Sequence, residues 1–171
     1  MEIVFETDRL LLVETTVNDA AFVLELMNSP KWIQHIGDRG IRSIKDAENY
    51  ISDRKEEHQS TKSVVSYTLI KKGEQTKIGS CGIYDRAGIV GVDLGYALLP
   101  AYEGNGFALE AAKKLMEIAF NHLLISKVSA VTTTQNIASQ SILKKIGMLA
   151  QGKISLPNDP NELLLFTIQA T

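Results

Sequence analysis

The sequence predicts a mixed α/β fold, an α+β arrangement in which one twisted, mostly antiparallel sheet carries helices on both faces. Three observations predict it. A strand-like apolar run, "RLLLVET", is followed by two segments of helical period. The stretch from Ser63 to Pro100 then switches to the period of strands, interrupted by turn-rich "KKGEQ" and "DRAG". After it, helix and strand alternate to the end, an order that places helices over both sides of a mixed sheet.

Taken in order, "TTVNDAAFVLELMNSP" offers Thr16 or Asn18 as a helix cap, aligns Phe22, Val23, Leu26 and Met27 on one face, and has Pro30 beyond its end. "SPKWIQHIGDRG" reads as an irregular connection holding the only tryptophan. "RSIKDAENYISDRKEEH" is a second helix, capped by Ser43 and with Ile44, Ala47 and Ile51 at helical spacing. Three strand-like runs follow as an antiparallel meander. In the third, Val92, Leu94, Tyr96 and Leu98 share one face, while Asp93, Gly95 and Ala97 form a small-residue face carrying one acid.

"ALEAAKKLMEIAFNHLL" has the strongest helical pattern, with Leu109, Ala112, Leu115, Met116, Ala119, Phe120 and Leu123 opposite Glu110, Lys113, Lys114 and Glu117. "KVSAVTTT" is β-branched and strand-like, "NIASQSILKKIG" is a short helix closed by Gly147, and "MLAQGKISL" and "ELLLFTIQ" are closing strands.

Composition narrows the function classes. With 171 residues, no repeat and no linker, residues 1–171 read as a single domain able to bury a core without staples. A net charge of −2 supplies no bulk attraction for nucleic acid or an anionic membrane, so neither is expected as a partner. The single cysteine, Cys81, in "KIGSCGIY", reads as a small core side chain. No apolar signal segment opens the chain, and a cytoplasmic location is expected. His35, His58 and His122 lie in no metal-ligand spacing, and no metal site is expected.

The segment "PAYEGNGFALE" sets two glycines, Gly104 and Gly106, at the mouth of the long helix. Glycine permits backbone torsions that other residues resist, and the first helical turn carries amides without internal partners. Such a turn suits an anion, a pyrophosphate included, though a purely structural turn fits the glycine pair equally well. A dinucleotide fingerprint needs a third small residue where Leu109 stands, and a P-loop needs Gly-Lys-Ser/Thr, so both nucleotide motifs are excluded.

The succession of "GVDLGYALLP", "AYEGNGFA", an amphipathic helix, "SAVTTT" and "NIASQSILKKIGM" resembles the GNAT acetyltransferase superfamily. Together with "ETDRLLLVETTVNDAAFVLEL" it is similar to the Rim-type ribosomal-protein alanine N-acetyltransferases, over nearly the whole chain. The resemblance implies a splayed pair of parallel strands and an acetyl-CoA-dependent transfer to a primary amine by direct attack. It implies that Gly104, Asn105, Gly106, Phe107 and Ala108 cradle the pyrophosphate of acetyl-CoA, and that Leu98 offers main-chain groups to the pantetheine arm. A main-chain amide nearby would hold the developing oxyanion. Asn136 and Ser139 fall where relatives contact that arm, and Asn136 also reads as a helix cap.

Two positions depart from the family pattern. Glu103 stands where glutamine or arginine is usual, and Leu143 stands where many relatives carry a tyrosine that protonates the departing thiolate. Ser139 is then the candidate acid, Asp93 the first candidate base and Glu103 the second. Trp32, His35 and Ile36 fall at the acceptor wall, and Lys144 and Lys145 near the adenosine phosphates. An α-amine, with a pKa near 7.8, is about 14% neutral at pH 7 against about 0.04% for a lysine, so it asks less of a base. The acceptor options are a protein N-terminus, an amino acid, a polyamine or an aminoglycoside-like compound. An acyl-CoA-binding module without turnover is the other class left open, and paired subunits among similar proteins leave a homodimer open by analogy.

Overall fold

The computed structural model describes residues 3–61 and 64–171. A single eight-stranded sheet runs in the order β1 (Ile3–Glu6), β2 (Leu10–Glu14), β3 (Val65–Lys71), β4 (Thr76–Tyr84), β5 (Val92–Leu98), β6 (Lys127–Thr133), β8 (Glu162–Gln169), β7 (Leu149–Ser155). All neighbours pair antiparallel except β5 and β6, which are parallel. The mixed sheet and the meander of β3, β4 and β5 match the period read from the sequence.

Cross-strand partners share a face, which sorts the sheet into two cores. On one face Leu12, Leu69, Cys81, Ile83, Leu94 and Leu98 pack against α4 (Phe107–Glu117) and against Leu143 of α5 (Ile137–Lys145). The opposite face is roofed by α1 (Ala20–Met27) and α3 (Ile44–Thr61), whose Phe22, Val23, Leu26, Ala47 and Ile51 form a second cluster that Ala97 and Leu99 join. The small-residue side of β5 is therefore covered by helices. Cys81 is fully buried, and burial pushes its thiol well above the ordinary range.

Several local readings are corrected. Residues Pro30–His35 of the segment read as irregular form a helix, α2, begun by Pro30 at its first turn. Pro30 thus starts one helix as well as following another. The strand β1 escaped the sequence reading because it is four residues long with charged neighbours. Thr16 precedes a 3₁₀ turn, Val17–Asp19, in which its amide donates to Asp19 Oδ2 at 2.8 Å. On α4 the buried stripe includes Phe107, Ala111 and Ile118, while Leu109, Phe120 and Leu123 are half-buried. After Glu117 the helix widens into one π turn at Ile118–His122, where the Leu123 amide reaches back to the Ile118 carbonyl at 2.9 Å, which re-aims the residues that follow. The Ser43 cap is present, its Oγ accepting the Asp46 amide at 3.1 Å. No helix of the described residues is long and apolar enough to cross a membrane.

Candidate active site

The parallel ladder between β5 and β6 has only two rungs, Val92 with Val128 and Asp93 with Ser129. Beyond them the strands separate into a wedge. The Leu99 amide donates to the Ile78 carbonyl of β4 at 2.8 Å, so by alternation the amides and carbonyls of Leu94, Tyr96 and Leu98 face the wedge instead. Leu98 therefore presents an unpaired backbone edge at the wide end.

At that end the chain turns through Pro100–Tyr102 into the two glycines, Gly104 at φ 74° and Gly106 at φ 82°. These left-handed torsions aim successive amides the same way before α4 begins. Among the described residues the amides from Gly104 to Leu109 donate to no protein acceptor, and Glu110 N–H is the first to find one, the Gly106 carbonyl at 3.1 Å. Phe107 and Ala108 bring main-chain donors to this cradle; the Phe107 side chain is in the core. The donor set fits a diphosphate.

Arg9, in the turn between β1 and β2, braces the cradle. Its Nη1 donates to the Asn105 carbonyl at 2.9 Å, its Nε lies 2.7 Å from Glu110 Oε2, and the guanidinium stacks 4.4 Å from the centre of the Phe107 ring. Burial pushes the Glu110 carboxyl up, but bonds from Thr7 and from the Arg9 amide and side chain outweigh it and hold it below the usual range. Glu103 pairs with Lys31 Nζ at 2.5 Å, while its carbonyl accepts from Asn105 Nδ2 at 2.9 Å, so its carboxylate is engaged by a lysine of α2.

At the narrow end, on the face under α1 and α3, Asp93 is fully buried. Its Oδ2 is held by Arg86 Nε at 2.8 Å, and Oδ1 has no partner among the described residues. Burial raises its pKa to about 6, opposed first by Arg86. Under the helical roof a cavity of about 290 Å³ is walled by Trp32, Tyr50, Ile51, Arg54, Ser80 and Tyr84, the last being the cross-strand partner of Asp93. The Arg54 guanidinium lies 5.4 Å from the Tyr50 ring centre and 5.7 Å from that of Tyr84. From the same short helix as Trp32, His35 Nδ1 reaches Thr133 Oγ1 of β6 at 3.0 Å, and half-buried Ile36 ends α2. α2 is thereby tied to the end of β6 on this face.

On the other face α5 begins with Asn136, whose Oδ1 accepts the Ser139 amide at 3.1 Å. The Ser139 hydroxyl meets the Tyr96 hydroxyl at 3.0 Å. Leu143 is buried in the core, and Lys144 and Lys145 are exposed. Among the described residues no group of three or more His, Cys, Asp or Glu side chains could hold a metal ion.

A sequence model of the acetyltransferase (GNAT) domain matches residues 9–149. The chain belongs to the GNAT acetyltransferase family. By family it is an N-acetyltransferase, and several relatives carry that name: YoaA of Bacillus subtilis, an uncharacterized N-acetyltransferase, is 27% identical over 150 residues, 87% of this chain and 84% of the relative. The crystal structure of an acetyltransferase from Agrobacterium tumefaciens superposes with a TM-score of 0.81 at 21% identity, covering 99% of this chain and 95% of that one. RimL, a ribosomal L7/L12 alpha-N-protein acetyltransferase solved in complex with coenzyme A, superposes with a TM-score of 0.82 at 16% identity, covering 98% of each chain. At those identities the two structures share the fold.

Within this GNAT chain Asp93 stands at the last parallel rung, Leu98 ends β5 just before the glycine turn, Ser139 of α5 is tied to β5 through Tyr96, and His35 is tied to the end of β6 through Thr133, while Trp32 walls the cavity under the helical roof. Glu103 stands apart, held by Lys31. Arg9, Glu110, Arg86 and Tyr96 belong to this neighbourhood and were not singled out as site residues in the sequence. Only Tyr96 left a signal there, its place on the strand leading into the glycine turn.

Proposed function

We propose that this chain transfers an acetyl group from acetyl-CoA to a primary α-amine. The observation that carries the reading is the run of amides from Gly104 to Leu109, free of protein acceptors and set at the wide end of a two-rung wedge. When bound, acetyl-CoA supplies an acyl group activated as a thioester. The amides of the turn grip its diphosphate, with Arg9 holding the turn rigid through Asn105 and Glu110. The Leu98 backbone pairs with the pantetheine arm as an added strand, and Asn136 and Ser139 border the same arm. Proximity within the wedge is the main catalytic contribution.

The acceptor enters from the face under α1 and α3. Asp93 Oδ1, unpartnered beside the apex, takes the amine proton through water, while Arg86 fixes the other oxygen. Ser139, on the opposite face, gives a proton to the leaving sulfur. The cavity walls disfavour a polyamine, because Arg54 and Lys55 outnumber the single acid Glu14 and Arg54 already lies over the Tyr50 and Tyr84 rings. RimL acts on a protein α-amine by its own name, and the shared fold supports an N-terminal acceptor here.

Calorimetric titration with acetyl-CoA, followed by thiol release on a panel of peptides, amino acids and polyamines, tests the reading. Binding with release on α-amines is expected. Binding without release on any amine assigns the chain to an acyl-CoA-binding role, and no binding removes both.

A further inference from the structure

Tyr96 joins the two walls of the wedge. It stands on β5 beyond the last parallel rung, at Asp93, and its hydroxyl crosses to α5, 3.0 Å from Ser139 Oγ and 3.4 Å from the Ser139 carbonyl oxygen. Ser139 is fixed in the first turn of α5 by the Asn136 cap. Both side chains are half-buried, so the hydroxyl pair borders the wedge and is not sealed in the core.

Resting on the acetyl-transfer reading above, the geometry points to Tyr96 as the proton source for the leaving thiolate, acting through Ser139. An isolated serine hydroxyl has no place among the ordinary titrating side chains, whereas a phenol does, near 10, and remains the stronger acid of the pair when burial raises it. Serine alone is too weak an acid; serine hydrogen-bonded to a phenol is a relay. Burial raises the Tyr96 phenol to about 12, and its bond with Ser139 pulls the other way. α5 itself supplies no acid at this place. Ser139 and Leu143 lie one turn apart on the same helical face, and a side chain at 143 covers the turn before it, but Leu143 is apolar and packed into the core. The acid comes from β5 instead.

As the acceptor nitrogen forms its C–N bond and the C–S bond breaks with its electron pair on sulfur, Ser139 delivers a proton to that sulfur and Tyr96 delivers its own to Ser139. The phenolate is reprotonated from solvent, which receives through Asp93 the proton that the amine loses. Tyr96 is a positioning and proton-supplying residue behind Ser139, and Ser139 is the one that touches the substrate.

The test uses Tyr96→Phe, which keeps the ring, Ser139→Ala, and the double variant. Each single change is expected to lower kcat by about 10²-fold, the low end for general acid catalysis. The KM for acetyl-CoA should stay within about twofold, and the double variant should be no slower than the slower single one, because the two act in series. A second readout needs no turnover: the infrared difference of the phenol C–O band, wild type minus Tyr96→Phe, free and saturated with coenzyme A at about pH 9. The Tyr96 component should shift on loading, since the neutral phenol then donates through Ser139 toward a thiolate. Turnover by Tyr96→Phe at the wild-type rate, or coenzyme A binding with the Tyr96 component unmoved, overturns the relay alone. Absence of coenzyme A binding to the wild type removes the acetyl-CoA reading and the relay with it.

Discussion

Arg9 and Glu110, separated by 101 residues, form a two-point clasp: the backbone amide of Arg9 donates to Oε1 at 2.8 Å and its Nε to Oε2 at 2.7 Å. The clasp ties the β1–β2 turn to the first turn of α4 and leaves the rest of the guanidinium to hold Asn105. The Arg9 side chain is about half exposed, so the ion pair by itself is a minor stabiliser. Its effect lies in the rigidity of the glycine turn. Arg9→Ala is expected to raise the acetyl-CoA Kd about tenfold, as for the loss of one charge-assisted contact, with little change in thermal stability. Calorimetric titration checks this, and an unchanged Kd would detach Arg9 from the cofactor site.

Gly106 tests the cradle more directly. At φ 82° a β-branched residue is strained by about 1–2 kcal/mol, and a new Cβ would stand 3.3 Å from Arg9 Nη2. Gly106→Val should lower stability by that amount in denaturant melts and weaken acetyl-CoA binding by more than the Arg9 variant does. Full affinity in a folded Gly106→Val protein would sink the assignment of the turn.

For Asp93 the sign of the pH effect follows from burial. The folded-state pKa is raised from 3.8 to about 6, so the folded protein holds this proton more tightly than the unfolded chain. The resulting stability is present below the unfolded pKa and is lost as pH rises through the folded one, about 3 kcal/mol for a shift of about two units. Wild type should therefore lose stability relative to Asp93→Asn between about pH 4 and pH 7, and the difference should level off above that window. In activity, wild type should show an inflection near pH 6 that the variant lacks. Parallel pH profiles in the two proteins would acquit Asp93 of both roles.

Cys81 should be inert. Fully buried and with its thiol pushed upward, it is expected to react with a thiol reagent only as fast as the protein unfolds. Rapid labelling of the native protein would contradict the core placement.

Local pattern was enough to locate most elements. The alternation in β3, β4 and β5, the helical period of α1, α3 and α4, and the Asn136 and Ser43 caps were all legible, because neighbouring residues alone decide which face of an element is apolar. β1 and α2 were not, since four- and six-residue elements are too short to show a period and are held by what they pack against.

The site divides along the same line. The glycine turn and its donors are written in consecutive residues, and so is the polar start of α5. Which side chains meet there is not. Asp93 finds Arg86 because a loop folds back seven residues, Tyr96 finds Ser139 across 43, and His35 finds Thr133 across 98. Sequence by itself determined most of the elements, the two-glycine turn before α4 and the family. The splayed strand pair came only through the family resemblance, and the tertiary structure alone decided where β5 parts from β6, the buried acid at that point and the hydroxyl pair across it, because these depend on packing between segments that no local pattern relates.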